Sequence, residues 1–82
     1  MLEKRLNIIL DSMSDICEFE KKVIKFKSHV NIVKGSVVWD AKAILGIFYI
    51  MPLNGAYIEI LSEDELEIRE FNTVMSEFVP HR

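Results

Sequence analysis

The sequence has little of what would tie it to an oxidising compartment, a bilayer or a nucleic acid. Cys17 is its single cysteine, so an internal disulfide is excluded and a reducing, cytoplasmic setting is expected. No apolar run reaches the ~18–20 residues that cross a hydrocarbon core, and no membrane role is expected. The opening MLEKRLNIIL lacks the small-residue cleavage pattern of a secretory signal. A basic excess is missing too. The net charge is −3, with lysines and arginines spread among acids, and nucleic acid is set aside as a partner. Lys21, Lys22 and Lys25 fall on one side of a helix with Glu18 and Glu20 nearby, the pattern of a solvated face. His29 and His81 are far apart in the chain and no cysteine cluster accompanies them, so no metal and no cofactor are expected.

What is present is apolar content. Half of the 82 residues are hydrophobic, which argues against disorder and for one compact domain over residues 1–82. A chain of this length removes about 60–65% of its unfolded surface from water, enough for a thin core. The densest stretch is Asp40 to Met51, DAKAILGIFYIM. Ile44, Ile47, Phe48 and Met51 fall at i, i+3, i+4 and i+7, the spacing of one helix face. Leu45 and Tyr49 then occupy a second face. A helix apolar on nearly every side is not an ordinary surface helix. Ile47, Ile50 and Met51 supply its inward side, and Ile44, Leu45 and Phe48 are left to meet a partner or a second copy.

The rest of the chain alternates between the two periods. Even positions from Leu6 to Leu10 read as a strand with one buried face. Ser12 with Asp15 forms a helix start, and Ile16, Phe19, Val23 and Phe26 carry a first helix over Asp15 to Phe26. His29 to Lys34 and Val37 to Asp40 flank Lys34-Gly35-Ser36 as a hairpin. Trp39 and Val37 share a strand face, with Trp39 at the core or its edge. After Asn54-Gly55, Ala56 to Leu61 alternates as a fourth strand. Ser62 with Glu65 fits a capping box, and Leu66, Ile68, Phe71, Met75 and Phe78 form the stripe of a last helix that Pro80 ends. Glu65 precedes Arg69 by four residues, a favourable ion pair. The order β-α-β-β-α-β-α implies an α+β domain: one antiparallel sheet with three helices on one face and the other face open to water.

That order, with Phe26-Lys27-Ser28, the hairpin through Gly35, Asp40-Ala41-Lys42 with Ile44-Leu45-Gly46-Ile47, and Gly55-Ala56, resembles HPr, the histidine-containing phosphocarrier family of the bacterial sugar phosphotransferase system. The match runs without a gap from Phe26 to Leu61. It implies an HPr-like open-faced β-sandwich with strand order 1-4-2-3. In that family a histidine at the start of the first helix carries a phosphoryl group, an arginine two residues on helps hold it, and a proline follows. A helix N-terminus suits such an anion, and imidazole is both a good nucleophile and a good leaving group.

By that alignment the histidine's place is held by Ser12, the arginine's by Ser14 and the proline's by Asp15, and residues 1 to 28 contain no histidine. Asp11 and Asp15 flank the spot and oppose a phosphate. The regulatory serine of Gram-positive members is matched by Ala43, which has no hydroxyl. No catalytic residue is therefore expected. The docking positions of the family fall on Ile44, Leu45 and Phe48, all apolar. The expectation is a non-catalytic protein-binding or regulatory module docking through the first and central helices, with phosphotransferase-system enzymes as candidate partners. The alternatives are a phosphocarrier using an atypical acceptor such as Ser12, and a homodimer through the apolar patch. Ser12 reads as a helix cap rather than an acceptor, His29 as an exposed strand residue, His81 as part of a tail. Cys17, with acids beside it, is not expected to act as a nucleophile.

Overall fold

The computed structural model describes residues 2–43 and 55–80. Strand β1 is Arg5–Ile8, helix α1 Met13–Val23, β2 Val30–Lys34, β3 Val37–Asp40, β4 Ala56–Ile60 and helix α2 Glu65–Met75, followed by a 3-10 turn at Ser76–Phe78. The four strands form one antiparallel sheet in the order β1-β4-β2-β3. Its register aligns Leu6, Ile58, Ile32 and Trp39 in a row across all four strands. Side chains directly opposite one another share a face, so this row and its neighbours Ile8, Val30, Ala56 and Ile60 turn to one side. There they meet Ile16, Phe19 and Val23 of α1 and Phe71 and Met75 of α2 in a single buried cluster.

Both helices thus cover the same face. The opposite face carries Arg5, Asn7, Asn31, Val33, Val38, Tyr57 and Glu59, all exposed or half-buried. Arg5 binds Glu59 at 3.3 Å and lies over the Tyr57 ring at 5.1 Å. Edge-to-face ring pairs close the core at two points, Phe19 on Phe78 and Phe26 on Phe71, with centroids 5.5 and 5.8 Å apart.

The expected trio of helices is corrected: two α-helices are found among the described residues. The helix expected in the apolar stretch Asp40 to Met51 lies from residue 44 onward outside the described residues, and the residues before it are placed as follows. Asp40 is the last residue of β3. Ala41 is buried and still donates its N–H to the Val30 carbonyl at 2.8 Å, extending the ladder by one pair. The chain then turns, because Asp40 Oδ1 accepts the Lys42 N–H at 2.9 Å and the Asp40 carbonyl accepts the Ala43 N–H at 3.0 Å. Lys42 Nζ reaches back to the Phe26 carbonyl at 2.6 Å and ties this turn to the end of the α1 segment.

Smaller shifts have local causes. Helix α1 starts two residues before the expected Asp15 because Ser12 itself is extended and caps the helix. It stops at Val23 because Lys25 and Phe26 donate to carbonyls three residues back, tightening the last turn, while Phe26 stays buried. In α2 the cap is Asp64, which accepts the Leu66 N–H at 3.0 Å, and Ser62 caps nothing but accepts the Asp64 N–H. Leu66 is 76% exposed, so it does not belong to the buried stripe expected of the last helix. The expected Glu65–Arg69 pair is present at 3.3 Å. Gly35 and Gly55 both hold positive φ, +62° and +82°, as their turns require.

These assignments predict opposite outcomes at two apolar positions of α2. Phe71→Ala should cost about 3–5 kcal/mol of unfolding free energy in a urea titration. Leu66→Ala should stay within about 0.5 kcal/mol of the parent.

Candidate functional site

The start of α1 is where the resemblance puts phosphoryl chemistry. Ser12 has φ −140° and ψ 160°, and its Oγ accepts the Asp15 N–H at 3.1 Å. Its carbonyl accepts the Ile16 N–H at 3.2 Å, the first bond of the helix. Asp15 returns the arrangement by accepting the Asp11 N–H on Oδ2 at 3.4 Å. Two acids therefore stand at the positive end of the helix dipole, where negative charge is favoured. Ser14 is exposed on the first turn. The cap fills one of the N–H groups that an anion would use, and Asp11 and Asp15 would repel a phosphoryl group placed beside it. As built, this end of the helix does capping.

No family model matches the chain, and no curated protein matches it.

The remaining candidates are dispersed. His29 is exposed just before β2, and its carbonyl accepts the Leu61 N–H at 2.8 Å. Cys17 is exposed. Ala43 is exposed at the end of the Asp40 turn. Ile44, Leu45, Phe48 and His81 lie outside the described residues. Among the described residues no cluster of three or more histidine, cysteine, aspartate or glutamate side chains is placed to hold a metal ion. Trp39 is half-buried against the core while Val37 on the same face is exposed.

An open groove of about 460 Å³ runs between the end of α1 and α2, lined by Lys22, Lys25, Phe26, Glu70 and Val74. Its charges are balanced: Lys22 pairs with Glu77 and lies 5.8 Å from the centre of the Phe78 ring. The expectation that these lysines form a solvated face holds for Lys21 and Lys25, which are exposed, whereas Lys22 leans inward.

Two buried acids escaped the sequence reading. Glu67 takes the inward position on the first turn of α2 and binds the Ser28 backbone N–H at 3.0 Å and the Ser28 hydroxyl. The Lys27 N–H and the Ser62 hydroxyl add to these donors, and together they pull the carboxyl down to about 2. This carboxylate stitches the loop after α1 to the start of α2. Glu20 does the reverse. It is buried on α1, and its Oε2 has no hydrogen-bond partner among the described residues. Burial, then the negative charge of Asp40, raise its carboxyl to about 7.

The two acids should leave opposite marks on the pH dependence of stability. Glu67, held below its unfolded value, stabilises the fold above about pH 4.5, and that contribution is lost as pH falls through about 2. Glu20, raised above its unfolded value, withdraws stability as pH climbs from 4.5 through about 7. Glu67→Gln should therefore lose about 1–2 kcal/mol at neutral pH, with the deficit shrinking in acid. Glu20→Gln should gain about 1–3 kcal/mol at pH 8 and almost nothing at pH 4. Urea titrations across pH read both.

Proposed function

We propose that the chain is a divergent HPr-like protein that acts as a non-catalytic protein-binding or regulatory module. The observation that carries this reading is the occupation of the α1 N-terminus by a serine cap between two aspartates. Sheet order β1-β4-β2-β3 with both described helices on one face supports the scaffold half of the reading, since it is the order the resemblance implies. The motif Asp40-Ala41-Lys42 supports it as well: Lys42 anchors the turn that leads into residues 44–54 by binding the Phe26 carbonyl. Ile44, Leu45 and Phe48 are the residues proposed to dock a partner, with enzymes of the sugar phosphotransferase system as the first class to try. A bacterial cytoplasm is the setting this reading assigns, supported by a lone cysteine. Among the described residues no helix is long and apolar enough to cross a membrane.

Incubation with enzyme I and phosphoenolpyruvate, followed by intact-mass measurement, tests the chemistry. The mass should not change. A phosphoryl adduct that vanishes in Ser12→Ala would establish the phosphocarrier alternative instead. For the docking residues, Phe48→Asp should weaken binding of a captured partner at least about tenfold while the far-ultraviolet spectrum stays the same.

A further inference from the structure

The two edges of the sheet are treated very differently. At the β1 edge, Lys4 and Arg5 supply charge, Ile9 donates its N–H to the Phe78 carbonyl at 2.8 Å, and Asn72 binds Glu3 through both its N–H and its carbonyl. Charge and covering chain of this kind keep an edge from pairing with another molecule. At the β3 edge the residues are Ser36, Val37, Val38, Trp39 and Asp40. This strand carries no lysine, arginine or proline. Val37 is 44% exposed and Val38 57%.

The backbone direction along β3 follows from its ladder. Ala41 donates to the Val30 carbonyl, and Lys34 stands opposite Val37 across the two-residue turn. In an antiparallel pair these alternate, so Val37 and Trp39 spend their backbone groups on β2, while Val38 and Asp40 turn theirs outward. Among the described residues no backbone group pairs with the outward N–H and carbonyl of Val38. Val38 also continues an apolar row on the helix-free face, through Val33 to Tyr57.

We infer that β3 pairs with β3 of a second copy of this chain, antiparallel about a two-fold axis through Val38, joining two sheets edge to edge. The strand is complementary to itself in that register. Val38 exchanges both backbone hydrogen bonds with its own counterpart. Val37 stands opposite Trp39 in the non-hydrogen-bonded position, where side chains approach most closely and an aromatic and a β-branched residue pair well. Ser36 stands opposite Asp40, so no like charges meet. The row Tyr57–Val33–Val38 becomes continuous with its copy across the axis. A four-residue edge buries less than the roughly 1,200 Å² of a stable interface, so the dimer is weak, with a dissociation constant on the order of 0.1–1 mM. Strand β3 contains none of the docking residues Ile44, Leu45 and Phe48 proposed above.

The full chain is examined by sedimentation equilibrium and by amide exchange from about 10 μM to about 1 mM, spanning the expected dissociation constant. The wild type should associate in this range. The Val38 amide should gain protection with concentration while the Trp39 amide is protected throughout. Val38→Lys sets two ammonium groups across the axis on an exposed face and should raise the dissociation constant at least about tenfold, with an unchanged far-ultraviolet spectrum. If that variant misfolds, the Val38 amide of the wild type decides alone. A chain that stays monomeric to the top of the range overturns the inference. So does association that leaves Val38 exchange unchanged, or association abolished by Phe48→Asp and indifferent to Val38→Lys.

Discussion

Strand β4 hydrogen-bonds on both sides, and that double ladder sets the register of β1 and β2, with β3 added through β2. Ile60 donates to the Lys4 carbonyl and Leu61 to the His29 carbonyl, so successive residues of β4 alternate between β1 and β2. A shift of one residue in either ladder would turn Ile58 and Ile60 to the open face and Tyr57 and Glu59 into the core. The cost of burying Glu59 without a partner forbids it. With the register held, Leu6, Ile58, Ile32 and Trp39 form one apolar row, and α1 and α2 have a surface to cover.

Polar stitches add to the core in placing the helices. Ser12 and Asp15 set the start of α1, Lys42 holds the turn after β3 against the loop that follows α1, and Glu67 ties that loop to α2. Such bonds to buried or half-buried groups are strong because their loss strands a polar atom away from water. Glu20 is the exception. Its buried, unpartnered oxygen beside the charge of Asp40 costs stability, and no contact among the described residues repays it.

Local patterns were legible where a single element decides the outcome. The β3 limits, Val37–Asp40, match the reading from the Gly35 turn and the β-branched run, and the Glu65–Arg69 pair is found where the spacing placed it. The order of strands came from a likeness of residues, not from periodicity, because alternation says which face is buried and nothing of which strand lies next. Leu66 misled the reading since an apolar residue in a first helical turn fits the period whether or not the core reaches it. Glu67 was invisible for a related reason: its partner Ser28 is 39 positions away, and no local pattern announces such a bond.

Of the two strands paired on both sides, β2 and β4, it is β4 that fixes the register of both β1 and β2. Native-state hydrogen exchange at single amides tests it most directly. The amides of Tyr57, Ile58, Glu59 and Ile60 should exchange only through global unfolding, with the same free energy that urea gives. Asn7, whose N–H faces the outer side of β1, should exchange far faster. If the β4 amides exchange as fast as Asn7, or with a free energy well below that of global unfolding, the claim is contradicted.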